Sequence, residues 1–395
     1  MNTMSYYLLP CILPQIGTKQ FLLSFDEKTS KQAVINNSLK HYLMDIKQEI
    51  DDCMGQWDIY KKYTNPYEYI HTNIPGSRNA VCKYKPLSRS YFKMVEILRS
   101  LYILDSFSSS EIKTFHLAEG PGGFIEALCN TRDNANDVYY GMTLMSDKDY
   151  VPGWKKSQEY LNLHSNIMLE YGADNTGDIM NPENLKFIRE RYGNSMDLVT
   201  GDGGFDFSVN FNDQESSASK LIFAQITYAI FLQKYNGSFV IKFFDVFTSA
   251  SLDFVYLLSS LYKKVYIIKP NTSRYANSER YIVCKGFRLN DTSHLFDTFY
   301  RMLEKIRVSD KPILRILNKD IPYVFVSKLE EYNAIIGQQQ IEIINTTLNL
   351  VRNPSRSDKI ESLRKTNINR CIQWCIKNKQ PYVKTPPQNN IFLSN

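Results

Sequence analysis

Four short stretches hold residue types that could do chemistry. In Phe115-His116-Leu117-Ala118-Glu119-Gly120-Pro121-Gly122-Gly123-Phe124, an apolar run enters a glycine turn and then a helix-like segment. Glycines let the backbone approach a ligand closely, and a helix start offers free N–H groups. The order Gly-Pro-Gly-Gly is neither the GxGxxG of a dinucleotide fold nor a P-loop ending in Lys-Ser/Thr. A nucleoside-type cofactor fits such a turn, with a plain structural turn as the alternative. In Asp197-Leu198-Val199-Thr200-Gly201-Asp202-Gly203-Gly204-Phe205, an apolar strand ends in an acid between glycines. That acid either faces the same crevice beyond the strand ends or caps its own turn.

Phe239-Val240-Ile241-Lys242-Phe243-Phe244-Asp245 places a lysine in an apolar strand, which is costly unless the amine is paired or functional. Burial and neighbouring cations lower an amine's pKa and free it to act as a base. Snorkelling of the stem to the sheet edge is the plainer reading. Finally, a loop carrying Arg274 leads to Glu279, which opens the apolar strand Arg280–Gly286. A surface salt bridge is the ordinary meaning of that pair.

The elements that must position these residues follow from the hydrophobic pattern. Strands are expected over Lys113–Ala118, Val138–Thr143, Asn166–Glu170, Met196–Gly201, Ser238–Phe244, Lys264–Lys269 and Arg280–Gly286. Helical patterns lie between them at Ser90–Leu104, Gly122–Asn130, Ser217–Gln233 and Ser249–Tyr262. Such alternation predicts βαβ units and a mostly parallel sheet covered on both faces. Only the loop Pro270–Glu279 separates the last two strands, so the last one returns antiparallel. Before this region, a helix is expected near Ser38–Met54, and Thr64–Arg78, with Pro66, Pro75 and Gly76, reads as a linker or surface loop. After Leu295 the chain reads mainly helical and ends in a frayed tail, Pro381–Asn395.

Composition excludes several classes. The 395 residues are 43% hydrophobic, with 27 Tyr and 22 Phe, which rules out a mostly disordered chain. The longest apolar run, Leu221–Leu232, is too short for a membrane span, and Pro10 breaks the N-terminal apolar stretch, so no membrane segment or secretory signal is expected. Seven scattered cysteines suit a reducing compartment rather than a disulfide framework; Cys371 and Cys375 read as helix-face thiols, and no metal-ligand cluster is visible. From Lys311 to the end, 13 Lys/Arg face 6 Asp/Glu, whereas the overall net charge is only +6. The basic excess therefore sits in the C-terminal segment. It is either a surface for a polyanion or a solvated helix face.

In this order and spacing, the stretches resemble the FtsJ-like (RrmJ-type) ribose 2′-O-methyltransferases, above all the eukaryotic and viral cap-specific mRNA (nucleoside-2′-O-)-methyltransferases. The resemblance is carried by Gly120–Phe124, Gly141-Met142-Thr143-Leu144, Gly177-Asp178-Ile179-Met180-Asn181-Pro182-Glu183-Asn184, Asp202–Phe205 and Asn277–Gly286, and covers roughly residues 80–290. It implies a Rossmann-like class I fold, with a seven-stranded, mostly parallel sheet, an antiparallel last strand, helices on both faces and helical extensions. Domain limits are expected at 1–75 (N-terminal extension), 76–290 (methyltransferase domain) and 291–395 (helical basic region). The family's Lys-Asp-Lys-Glu tetrad falls on Asp202, Lys242 and Glu279, with Lys93 matching the first lysine better than Lys83 or Lys85.

The same resemblance implies S-adenosyl-L-methionine as cofactor and no metal. It places Gly120, Pro121, Gly122, Gly123 and Phe124 around the methionine and ribose, Thr143 at the second strand's end, Asp178 with Ile179 at the adenine, and Asp202 beside the donor. Ser88 stands where some relatives carry Asn. The implied substrate is the capped 5′ end of mRNA, with Lys83, Arg89 and Arg274 on phosphates and Tyr91 or a neighbouring aromatic stacking on a base. The loop Asn210–Gln214 is a further candidate for cap contact. Capping or transcription machinery is an expected partner, and a cytoplasmic, viral setting is the expected context. Rival readings are a 2′-O-methyltransferase of ribosomal or transfer RNA, and a non-catalytic RNA-binding subunit that keeps the fold.

Overall fold

A computed structural model describes residues 6–13, 16–26, 34–107, 110–146, 151–204 and 214–383. The seven apolar runs become strands β3 (Lys113–Leu117), β4 (Val138–Met142), β5 (Ile167–Glu170), β6 (Met196–Gly201), β7 (Gln233–Phe243), β8 (Tyr262–Ile268) and β9 (Arg280–Phe287). An eighth, β1 (Tyr6–Leu8), comes from the N-terminal segment, so the sheet exceeds the expected seven strands. β8 would otherwise present a row of unpaired backbone groups, and β1 covers it in antiparallel register, Tyr7 opposite Ile267. The order is β1-β8-β9-β7-β6-β3-β4-β5. β3 to β7 pair in parallel, and β9 inserts antiparallel between β7 and β8.

The chain winds outward from β3 through β4 and β5, then resumes at β6 on the other side of β3. That reversal opens a crevice beyond the carboxyl ends of β3 and β6, where open α/β sheets bind ligands.

Side-chain alternation sorts each strand between two buried clusters. Phe239, Ile241 and Phe243 enter one cluster with α7 (Gln214–Leu232) and α8 (Ser249–Leu261), whereas Val240 enters the other with α3 (Ser90–Ser100) and α4 (Gly123–Arg132). Leu198, Tyr281 and Val283 share the α3 side with Val240, and Val199 and Ile282 face the opposite way. This period of two decides which face receives every residue near the strand ends.

The remaining helices are α1 (Asn37–Asp51), α2 (Met54–Thr64), α5 (Gln158–Leu163), α6 (Pro182–Tyr192), α9 (Ser293–Val308), α10 (Tyr323–Arg352) and α11 (Ser357–Lys377). Both flanks enter the cores: Leu9, Ile16, Leu303 and Phe325 join the α7 cluster, while Ile368, Cys371 and Trp374 join the α3 cluster. A two-stranded sheet of β2 (Phe21–Phe25) and β10 (Ile313–Leu317) ties the flanks together, within a C-terminal region expected to be helical. Leu43, Ile46 and Trp57 of α1 and α2 pack on Ile341, Ile344 and Leu348 of α10.

The first half of the segment 64–78 is not the expected surface loop. Tyr67, Tyr69 and Ile70 are buried, and α11 satisfies its backbone, with Asn367 Nδ2 donating to the Asn65 carbonyl at 3.4 Å and Cys371 Sγ to Pro66 at 3.7 Å, whereas Asn73, Gly76 and Arg78 are exposed. Pro and Gly mark a break in regular structure, which says nothing about burial. The described start of the tail is also held: Lys83 N donates to Pro381 O at 2.9 Å and Val383 N to Val81 O at 3.0 Å.

Candidate active site

Alternation brings the four tetrad candidates to one face. Lys242 shares its parity with Val240, Asp202 with Leu198, and Glu279 with Tyr281, so all three turn toward α3 and Lys93. Lys93 Nζ lies 2.7 Å from Glu279 Oε1 and 2.9 Å from Oε2. Lys242 Nζ is 3.3 Å from Asp202 Oδ1 and donates to the Asp202 carbonyl at 2.6 Å. The Tyr281 hydroxyl joins the two pairs, 3.1 Å from Asp202 Oδ1 and 3.3 Å from Glu279 Oε1. Ser273 Oγ donates to Glu279 Oε1 at 3.0 Å.

The electrostatics follow from burial and these neighbours. Burial alone would raise the Glu279 carboxyl, but Lys93 and Lys242 overcome it and hold the group well below the usual carboxylate range. Burial lowers Lys93 from the ordinary lysine value despite the pull of Glu279 and Asp202. Burial, reinforced by Asp202 and Glu279, keeps the Tyr281 hydroxyl protonated far above its usual range.

The loop between β8 and β9 delivers Glu279, and α3 grips it with three charges at i, i+4 and i+7. Arg89 donates to Thr272 O at 3.1 Å, Lys93 pairs with Glu279, and the buried Glu96 accepts from both the backbone and side chains of Asn271 and Thr272. Lys269, 4% exposed, donates to Asn277 O, Asn277 Oδ1 and Glu279 O at 2.6, 2.7 and 2.6 Å. Burial pushes its ammonium down to about 7 against the opposing pull of Glu279. From the flanks, Glu68 accepts two bonds from Arg274, and Gln340 Nε2 donates to Ala276 O at 3.0 Å.

Expectation missed Glu96, Lys269, Tyr281 and Glu68. The spacing of Arg89, Lys93 and Glu96 at the start of a largely apolar helix was a usable signal for the first. Glu68 sits in irregular backbone with no periodic signal.

Beside the tetrad, the strand ends form a crevice. Ala118 N donates to Met142 O at 2.7 Å, and Asp202 N to Leu117 O at 3.3 Å, which sets the glycine turn next to Thr143 and Asp202. Gly122 has φ +99°, and a Cβ on Gly123 would lie 2.2 Å from Ser90 Oγ, so the turn needs glycine at both positions. Phe124 is fully buried and its N–H donates to Glu119 Oε1. Glu119 is 3% exposed, and its Oε2 lies 3.4 Å from His116 Nδ1. The loop ahead of α6 closes over the end of β4: a Cβ on Gly177 (φ +66°) would lie 1.9 Å from the Thr143 carbonyl. Ile179 is buried there, while Asp178 Oδ1 accepts from Met180 N at 2.8 Å. A tight glycine turn, a buried carboxyl beside it and a loop with an acid fit the polar ends of a nucleoside cofactor.

Of the three residues expected on RNA phosphates, only Lys83 is exposed. Arg89 is tied to Thr272, and Arg274 donates to Glu68 at 3.0 and 2.6 Å, so both guanidiniums hold the 270–279 loop. The Arg274 charge is met by Glu68 because the segment around Glu68 packs inward. Tyr91, expected to stack on a base, is 3% exposed against Tyr84 and Phe92. Phe205 and residues 210–213 lie outside the described residues. Among the described residues, no group of three His, Cys, Asp or Glu is placed to hold a metal ion.

A doubly wound sheet with one antiparallel insert, a glycine turn after its first parallel strand and paired lysines and acids at its carboxyl edge is the Rossmann-like methyltransferase architecture. The pattern of the FtsJ-like methyltransferase family matches residues 86–287, and the chain belongs to that family.

The chain is 29% identical over 348 residues to cap-specific mRNA (nucleoside-2′-O-)-methyltransferase 2 of Danio rerio, covering 79% of this chain and 43% of the relative. It is 30% identical over 278 residues to the corresponding methyltransferase 1A of Caenorhabditis briggsae, covering 66% and 31%. Similarity of 28% over 368 residues, covering 84% and 42%, extends to a protein of that species named an inactive cap-specific methyltransferase 1B. The chain thus spans less than half the length of these relatives. All three are animal proteins, which gives no support to the viral setting expected above.

Proposed function

We propose that this chain is an S-adenosylmethionine-dependent ribose 2′-O-methyltransferase acting on capped mRNA of the cap 1 type. The observation that carries the reading is the joined Lys93–Glu279 and Lys242–Asp202 pairs at the edge of the glycine-turn crevice. The family implies S-adenosylmethionine, and names of the relatives point to the capped 5′ end of mRNA. One relative is named inactive; the complete tetrad, with its members in contact, argues for activity in this chain.

Bound S-adenosylmethionine supplies a sulfonium methyl that is already a good electrophile. A ribose 2′-hydroxyl is a poor nucleophile, so the protein's tasks are alignment and removal of one proton. Lys242 would orient that hydroxyl and accept its proton, while the bound donor would supply the methyl group that the oxygen takes up. Asp202 holds Lys242 in place, and Tyr281 fixes Asp202 relative to Glu279. Glu279 anchors Lys93 beside the site. Gly120–Phe124 would hold the donor's methionine and ribose, with Thr143, Asp178 and Ile179 available to its adenine.

Two measurements test this. Methyl transfer from labelled S-adenosylmethionine should occur on a short RNA with a 7-methylguanosine cap and fail on its uncapped counterpart. Equal labelling of both would favour a structured-RNA methyltransferase, and no labelling with no cofactor binding would sink the enzyme reading. Gly123→Val should abolish cofactor binding by calorimetry, because the added side chain meets Ser90 and the Tyr91 backbone. Wild-type affinity in that variant would remove the glycine turn from the cofactor site.

A further inference from the structure

We propose that Lys269 is a positioning residue for methyl transfer: its buried ammonium folds the 270–279 loop so that Glu279 presents its carboxylate to Lys93. This rests on the reading of the site given above. Lys269 follows directly on β8, and the loop it begins is the lead-in to β9. Its three hydrogen-bond acceptors are Asn277 O, Asn277 Oδ1 and Glu279 O, all within 2.7 Å. An ammonium has three hydrogens and no acceptor, so the side chain and this loop match in number.

The consequences run through Glu279. Its carbonyl is held by Lys269, and its carboxylate is held by Lys93 and Ser273. Ser273 Oγ also lies 3.4 Å from Asn277 Oδ1, so Lys269, Asn277, Ser273 and Glu279 close a ring of contacts. Taking the ammonium away leaves two carbonyls and an amide oxygen facing a buried space with no donor. The loop then relaxes, and Glu279 shifts off Lys93. A buried cation bonded to three neutral oxygens is expensive to keep for stability alone. Its contacts are all with the segment that carries a tetrad member, which is where its benefit falls.

The test uses the full chain and a short capped RNA, with wild type run alongside. Lys269→Met should lower kcat about 100-fold while the affinity for S-adenosylmethionine and the KM for RNA stay within about threefold, since misplacement of a reacting constellation acts on the chemical step. Lys269→Ala leaves space of the shape of propylammonium, and adding that amine should restore turnover in Lys269→Ala but not in Lys269→Met. A kcat within about threefold of wild type in Lys269→Met would overturn the proposal. So would a loss matched by loss of cofactor binding and insensitive to propylammonium, which marks a merely structural lysine. A wild-type chain inactive on every RNA would instead overturn the functional reading on which the proposal stands.

Discussion

Lys242→Met should lower methyl transfer by about 10³-fold while leaving S-adenosylmethionine affinity unchanged, because general-base assistance is typically worth about 10²–10⁴-fold. Lys242 reaches the site from the end of β7, where its Nζ meets the carbonyl and one carboxylate oxygen of Asp202. Methionine keeps the stem's volume in the strand and removes only the amine, so the fold and the glycine turn are undisturbed. Lys242→Arg is the informative companion, since a guanidinium keeps its proton and cannot act as a base. Single-turnover rates on capped RNA, with binding measured separately, give both numbers. Near-wild-type turnover by Lys242→Arg would reduce Lys242 to orienting the hydroxyl.

The second large effect is on stability and comes from a residue outside the family-matched region. Glu68 is fully buried, and its carboxylate is the partner of Arg274 on the 270–279 loop. Burial would raise its pKa, but the Arg274 hydrogen bond and charge hold it down to about 2, from an ordinary 4.5. Glu68→Gln should cost about 3 kcal/mol, since removing one partner of a buried ion pair leaves the other uncompensated. The low end of that range applies because the Arg274 side chain keeps 32% of its surface exposed.

The sign with pH is definite. A carboxylate whose folded pKa is depressed contributes fully above its unfolded value and loses that contribution as pH falls through the folded one. The wild-type advantage over Glu68→Gln should therefore be full above about pH 4.5 and fade as pH approaches about 2. Thermal unfolding of both proteins across that window measures it; a pH-independent difference would mean that packing, not the charge, carries the effect. Glu68→Gln should also slow turnover, because Arg274 and Glu279 share one loop.

Much of the site was legible in the residues themselves. Lys242 announces itself as a charge inside an apolar strand, and Gly122 and Gly123 as a turn that nothing larger fits. Asp202 and Glu279 mark where strands end and begin. For Arg274 and Tyr91 the sequence could not show one thing: a cation or aromatic near a site looks available until its internal partners are known. Those partners lie far away in sequence, Glu68 for Arg274 and Gln380 for Tyr91.

By itself, then, the sequence determined the alternating α/β order, the glycine turn and the family tetrad. These are local matters of periodicity, backbone freedom and residue type, and they survive without knowledge of any distant contact. Only the tertiary structure decided that Tyr6–Leu8 extends the sheet, that the segment 64–70 packs inward and that both flanks brace the 270–279 loop. Each of those depends on backbone and charged groups finding partners up to some 300 positions away, as Asn367 finds Tyr63. Pairing of that kind is set by how the finished sheet and helices bring edges together, and no local pattern encodes it.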